Sequence, residues 1–327
     1  GGERQKVMLA CLAAIKPRWL LLDEPFANID NASAREIARK LKQMHEERGT
    51  GILAVDHRLD NWLDIVDRVR IMEKGVLREE SLKPAELEPG LLEELGIIVP
   101  CGSYSPSLSV CKSGETVLEL RGLSLRHGEN DVLKNLNASF RRGEVCAVVG
   151  SSGCGKSSLF GALMGIYRYT GQALLEGRDI RRLKRTELGR IGFVTQNPQD
   201  QFVSDTVRRE IEVGLRRSEN AQEKSEEILR DIKLWRYRDI SPYLLSQGQQ
   251  RRLGVAALMA YNCSVLVCDE PTYAQDRNNT RAVMDALCRQ ARERGVALIF
   301  STHDIRLAED YADRILELRG GTLHALR

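Results

Sequence analysis

An internal repeat constrains the fold of this chain more than any other feature. RQKVMLACLAAIKPRWLLLDEPFANID, residues 4–30, reappears as QRRLGVAALMAYNCSVLVCDEPTYAQD, residues 250–276. Recurrence of a whole segment marks two copies of one structural unit. In each copy a helix-like stretch leads into an apolar strand that ends in Asp-Glu-Pro. A polar helix follows (residues 32–48 and 281–294), then a Gly and a second apolar strand ending in His: GILAVDH at 51–57 and GVALIFSTH at 295–303. Each copy closes with a short strand and a Gly turn, DRVRIMEKG and DRILELRGG. Helical periodicity alternating with short apolar runs predicts an α/β fold with a mainly parallel sheet.

The two copies are unequal. The chain opens at Gly1 and Gly2 and is in an apolar-periodic helix within a few residues, as a cut through a longer protein would leave it. The second copy carries additional strands expected near Val117–Leu120, Val145–Val149 and Ile191–Val194. Residues 81–114 are rich in Pro, Gly and Ser after one short helical stretch, which is the composition of a linker. The expected division is therefore a C-terminal remnant of a first domain at 1–80, a linker at 81–114 and a complete second domain at 115–327.

Only the second copy contains a phosphate-binding loop. Gly150, Ser151, Ser152, Gly153, Cys154, Gly155, Lys156 and Ser157 match G-x-x-x-x-G-K-[ST] at every fixed position. The strand EVCAVVG precedes the loop and the helical stretch SSLFGALMGI follows it. The glycines would let backbone N–H groups curl around phosphate at a helix N-terminus, with Ser158 in the first turn. Lys156 would reach the β- and γ-phosphates and the Ser157 hydroxyl would ligate Mg²⁺.

Such a loop needs a second contact to the metal, usually an Asp at the end of an apolar strand. Val265–Cys268 ends in Asp269, and Glu270 follows. Asp269 would hold Mg²⁺ through its water shell, while Glu270 could take a proton from the attacking water or orient it. The same Asp-Glu-Pro recurs at Asp23, Glu24 and Pro25, which argues against a mere polar turn. His303 and His57 end the next strands at equivalent places, which favours a phosphate-facing role over a structural one.

The 49 Lys and Arg nearly balance the 46 Asp and Glu, and the formal charge of +3 gives no electrostatic case for nucleic acid. No apolar run approaches the roughly 18–20 residues that cross a bilayer. The eight cysteines show no CxxC pair, so free thiols are expected.

Together these residues resemble the ABC ATPase family over essentially the whole chain. Its most specific mark is Leu245-Ser246-Gln247-Gly248-Gln249, similar to the LSGGQ signature with Gln for the first Gly. The resemblance implies a P-loop NTPase domain with a RecA-like core, an antiparallel β subdomain and a helical signature subdomain, preceded by a partial copy. It implies that Ser246, Gly248 and Gln249 meet the γ-phosphate of ATP bound to a partner domain at a helix N-terminus. A plain Ser N-cap is the alternative, and the position of this stretch shortly before the Asp-Glu strand decides against it. Gln196 is similar to the loop glutamine that couples Mg²⁺ to the transmembrane partner, Asp276 to the family's D-loop aspartate and His303 to its switch histidine. In the first copy Gly1, Gly2 and Glu3 look like a signature tail, with Asp23, Glu24, Asp30 and His57 in the corresponding roles. The aromatic ring that stacks on adenine falls near His127.

Within the family, QNPQDQFVSDTV from Gln196 onward and DEPTYAQD at the second Asp-Glu are similar to energy-coupling-factor importers of vitamins or transition-metal ions. The resemblance implies ATP and Mg²⁺, head-to-tail pairing of two ATPase domains, integral-membrane partner subunits, no nucleic acid, and a peripheral place on the cytoplasmic face of the membrane. A soluble tandem ATPase acting on ribosomes is the alternative. The short, non-basic segment 81–114 disfavours it. A DNA-repair ATPase ranks lower still, for want of heptads and basic excess.

Overall fold

The computed structural model describes residues 7, 11–12, 14–26, 31–73, 75–97, 104, 114–184, 187, 189–216, 218–261, 263–272 and 275–327. The chain forms two compact units, one of Gly1–Tyr104 with Ala274–Thr280 and one of Ser105–Tyr273 with Arg281–Arg327.

In the first unit, strands β1 (Trp19–Asp23) and β2 (Gly51–Val55) pair in parallel, in register from Trp19 opposite Gly51 to Asp23 opposite Val55. The crossover between them is helix α1 (Asn31–Arg48), where the polar-helix pattern placed it. Alternate strand residues point to opposite faces. Leu20 and Leu22 accordingly pack with Ile37 and Leu41 of α1 and with Trp62, whose indole N–H donates to Asp56 Oδ2 at 2.9 Å. The opposite face carries Trp19, Leu21, Leu53 and Val55, which are 68%, 76%, 60% and 60% exposed. Short strands β3 (Met72–Glu73) and β4 (Val76–Leu77) form an antiparallel pair. Within the segment read as a linker, a 3-10 turn at Pro84–Glu86 precedes helix α2 (Pro89–Glu94), and Leu92 packs on Leu59.

The second unit contains four strands that the sequence pattern left unread, three of them in an antiparallel sheet. Strand β5 (Thr116–His127) pairs with β6 (Asn130–Arg141) and β8 (Thr170–Leu175), and β8 with β9 (Arg178–Asp179), in an antiparallel sheet of order β6-β5-β8-β9. The main sheet has the order β10-β11-β12-β7-β13-β14, from β7 (Val145–Val149), β10 (Ile191–Val194), β11 (Val265–Cys268), β12 (Ala297–Thr302), β13 (Arg314–Arg319) and β14 (Thr322–Ala325). All its pairs are parallel except β13–β14. Strands β7, β11 and β12 are buried at every residue, as expected where both faces of a parallel sheet are covered.

Helix α3 (Lys156–Leu163) places Leu159, Phe160 and Leu163 in one core with Val265, Val267 and Ile299 of the sheet and Leu118, Leu120 and Phe140 of the antiparallel layer. A separate cluster holds a helical layer together: Val207 and Ile211 of α4 (Val207–Gly214), Leu229 of α5 (Ala221–Asp231) and Leu253, Ala256 and Ala257 of α6 (Gln247–Met259). Two further helices are α7 (Arg277–Arg294) and α8 (Ile305–Tyr311). Among the described residues no helix is long and apolar enough to cross a membrane. The six described cysteines are free thiols; Cys101 and Cys111 lie outside the described residues.

Candidate nucleotide-binding site

Strand β7 runs straight into the loop Gly150–Gly155, and α3 begins at Lys156. Two of its glycines are required by the geometry. At Gly150 (φ 154°) a Cβ would lie 2.6 Å from the Leu318 carbonyl and 2.7 Å from Cys154 Sγ. At Gly155 (φ 109°), the residue preceding α3, it would press on Val132 and Leu133 at 3.0 and 3.1 Å. Lys156 is 7% exposed, and its ammonium donates to the carbonyls of Gly150 at 2.7 Å and Ser151 at 3.0 Å. The loop therefore closes around its own cation. Ser151, Ser152, Gly153 and Ser157 are exposed at its rim, with Cys154 and Ser158 partly so.

The strand that ends in Asp269 lies beside β12 in the sheet, and β12 in turn beside β7. Buried Asp269 accepts the Ser301 hydroxyl at 2.6 Å on Oδ1, and the same Ser301 oxygen accepts the Glu270 backbone N–H at 2.9 Å. Glu270 turns out of the strand with φ 49°, in the left-handed region, and its Oε2 sits 3.3 Å from His303 Nδ1. Burial alone raises the Glu270 carboxyl. The hydrogen bond from His303 and the charges of His303, Lys156 and Arg251 outweigh it and hold the group below the usual carboxylate range. The arrangement delivers an ionised, half-dehydrated carboxylate, which is what a proton acceptor needs near neutral pH.

Other sequence-selected residues are found in plainer roles as well. Ser246 is the N-cap of α6: its Oγ accepts the Gln249 N–H at 3.4 Å and Gln249 Oε1 accepts the Ser246 N–H at 2.9 Å, a capping box. The capping reading of this stretch therefore holds, and a phosphate contact by Ser246 or Gln249 would be additional to it. Gly248 lies within the first turn. Asp276 accepts the Asn279 backbone N–H at 2.8 Å and its amide at 2.5 Å, and so caps α7. Gln196 is exposed just beyond β10. His127, at the end of β5, has Nε2 3.2 Å from the Ser158 hydroxyl and meets the Tyr167 ring edge-on at 4.8 Å. This puts an imidazole against the first turn of the phosphate-loop helix.

In the first unit Glu24 (φ 43°) has Oε1 3.1 Å from His57 Nδ1, and its N–H donates to the Val55 carbonyl. The hydrogen bond from His57 holds the Glu24 carboxyl low, against partial burial. Asp23 ends β1. Gly1, Gly2, Glu3 and Asp30 lie outside the described residues.

Two residues of the site escaped the sequence reading. Ser301 connects the two carboxylate residues, and Arg251 of α6 donates to the carbonyls flanking Gln196. For Ser301 the signal was a hydroxyl at the end of an apolar run, IFS; Arg251 follows two glutamines and precedes another arginine, and nothing in that pattern singles it out.

Comparison with known proteins agrees with this geometry. The ABC transporter family matches residues 133–273, a span that runs from the antiparallel layer through the phosphate loop to the second Asp-Glu-Pro. A Bacillus subtilis (strain 168) protein described as "Putative HMP/thiamine import ATP-binding protein YkoD" is 34% identical over 97% of this chain and 63% of its own length. A "Putative ABC transporter ATP-binding protein" of Methanosarcina acetivorans is 30% identical over 99% of this chain and 62% of its own. The chain thus spans somewhat less than two thirds of either relative. Among solved structures, cbiO1 of Clostridium perfringens, described as part of the ABC transporter complex cbiONQ, superposes with a TM-score of 0.56 at 27% identity, covering 64% of this chain and 87% of that one. The ATP-binding cassette MJ0796, in a dimeric post-hydrolysis state with ADP and Pi, gives 0.57 at 27% identity over 64% and 99%. The loop, the carboxylate pair and these likenesses converge on one unit, which has the P-loop ABC ATPase fold and whose residues 133–273 match the ABC transporter family.

Proposed function

We propose that this chain is the ATP-hydrolysing part of an energy-coupling-factor type importer of a vitamin or a transition-metal ion, in which residues 1–80 repeat part of a first ATPase domain ahead of the second one at 115–327. The observation that carries the catalytic part is Glu270, held ionised by His303 on the neighbouring strand end, in the same unit as a loop built around Lys156. ATP would enter with its phosphates along Gly150–Ser158 and its base toward His127. The Lys156 ammonium would then exchange two neutral carbonyls for phosphate oxygens, a stronger charge-assisted contact. Glu270 would orient the attacking water or take its proton, and His303 would fix the carboxylate and face the γ-phosphate.

Mg²⁺ would supply charge neutralisation on the β- and γ-phosphates. Among the described residues no group of three or more His, Cys, Asp and Glu could hold a metal by itself. That suits Mg²⁺, which takes one or two carboxylates beside substrate phosphates and water. Asp269, Ser157 and Gln196 would hold it.

The tandem reading is supported by the repeat itself, and the importer reading by QNPQDQFVSDTV and by relatives described as serving thiamine import and the cbiONQ complex. In this reading the partners are integral-membrane subunits on the cytoplasmic face. Lys156→Ala should weaken nucleotide binding about tenfold or more, the worth of a charge-assisted hydrogen bond. Glu270→Gln should retain binding and lose hydrolysis. Undiminished hydrolysis by the protein carrying both Glu24→Gln and Glu270→Gln would refute the catalytic assignment. Co-purification of that protein with ribosomes instead of membranes would refute the importer reading.

A further inference from the structure

Helix α6 grips the segment that follows β10 at successive turns. Arg251, 2% exposed, donates from Nη1 to the Thr195 carbonyl at 2.7 Å and from Nη2 to the Gln196 carbonyl. The neighbouring Gln250, equally buried, accepts from Gln199 Nε2 at 3.2 Å and donates to the Tyr243 carbonyl at 3.3 Å. One turn on, Gly254 leaves room for Gln201: a Cβ there would lie 2.0 Å from Gln201 Nε2. Gln201 in turn accepts the Thr195 N–H at 3.3 Å through its Oε1. Every residue in this network belongs to the second unit.

Burying a guanidinium is costly unless its donors are matched, and an apolar residue would fill the same space more cheaply. The expense makes sense where a fork of fixed donors must hold two successive backbone carbonyls in place, which a point charge or a methyl group cannot do. We propose that Arg251 is a positioning residue that ties the helix beginning at Ser246 to the Gln196 segment, so that α6 and the Gln196 amide move as one piece. Anything that shifts the N-terminus of α6 then shifts Gln196 with it. The proposal rests on the nucleotide-binding reading above for its functional meaning, though not for its mechanical part.

Hydrogen exchange of the folded chain tests the mechanical part. Arg251→Met should accelerate exchange across residues 195–203 about tenfold, with residues 150–160 unchanged and Arg251→Lys intermediate. Binding of fluorescent ATP with and without Mg²⁺ tests the functional part. Arg251→Met should leave the metal-free Kd unchanged and weaken the Mg²⁺-dependent Kd about fivefold, as Gln196→Ala does, with the double variant no worse than either. Unchanged exchange at 195–203 in folded Arg251→Met, or equal weakening with and without Mg²⁺, overturns the proposal. Should Arg251→Met not fold, Gly254→Ala, which displaces Gln201, must speed exchange in 195–203, and wild-type rates there overturn the tie. Absence of any ATP binding by the wild type would fell the nucleotide reading, while the exchange result still decides the tie.

Discussion

The unit β1–α1–β2 and its counterpart β11–α7–β12 share a register and differ in what lies over them. Trp19 pairs with Gly51 as Val265 pairs with Ala297, and the Glu after each first strand has a positive φ and a His within 3.1 or 3.3 Å. Local sequence thus reproduces the strand pairing and the Glu–His contact twice. In the second unit, however, Val265, Val267 and Ile299 are sealed beneath the phosphate-loop helix and the antiparallel layer, whereas Trp19, Leu21 and Leu53 at the equivalent places face outward. The pairing of two strands is a local property. Burial of both faces of a sheet needs material on both sides of it.

The largest expected consequence is in local stability. Amides of β1 and β2 should exchange at least roughly a hundredfold faster than those of β11 and β12, because one face of that pair is already exposed and opening it uncovers less apolar surface. Equal protection of the two pairs would break the comparison. Next in size is the response to truncation of equivalent side chains. Ile299→Ala should cost about 2–5 kcal/mol in urea denaturation. Leu53→Ala should stay within about 0.5 kcal/mol, as exposed positions do.

A third contrast lies at Ser301, where the first unit has Val55. Ser301→Val removes the partner of a buried Asp269 oxygen and of the Glu270 N–H, and should cost about 1–3 kcal/mol. Val55→Ser should be nearly neutral, since Glu24 N–H uses the Val55 carbonyl and not a side chain. The smallest effect concerns pH. Glu24 is depressed below 4.5 by the His57 hydrogen bond. Its contribution to the first unit is complete above the unfolded carboxylate value and fades as pH falls through the lower folded one. Wild type should therefore lose its advantage over Glu24→Gln on acidification below about pH 4.5, measured by denaturation at a series of pH values. An advantage that grows toward low pH would mean that His57 does not hold Glu24.

Much of this was legible in the sequence because the features concerned are short-range. The phosphate loop, the Asp-Glu strand ends and helix α1 follow from contiguous pattern. The long strands β5 and β6 were harder. Only the stretch around Val117–Leu120 read as strand, because β5 passes through Gly122 with register shifts and β6 interleaves Lys134, Asn135 and Asn137 with its buried positions. Strand β8 opens with exposed Thr170, Gly171 and Gln172, which resembles a turn. Within the site, Glu270 and His303 could be named from the repeat, but their contact follows from the parallel pairing of β11 with β12. Arg251 and Gln196 are brought together only by the packing of α6 beside β10, and no periodicity reports that.

The left-handed backbone at Glu270 has a consequence for how this protein responds to selection. A non-glycine residue there costs about 1–2 kcal/mol, and glycine would relieve it. Heat-resistant clones picked from a random library without an activity filter would therefore be enriched in Glu270→Gly, sturdier proteins with the proposed catalytic carboxylate erased. Thermal robustness and chemistry pull against each other at a single peptide unit.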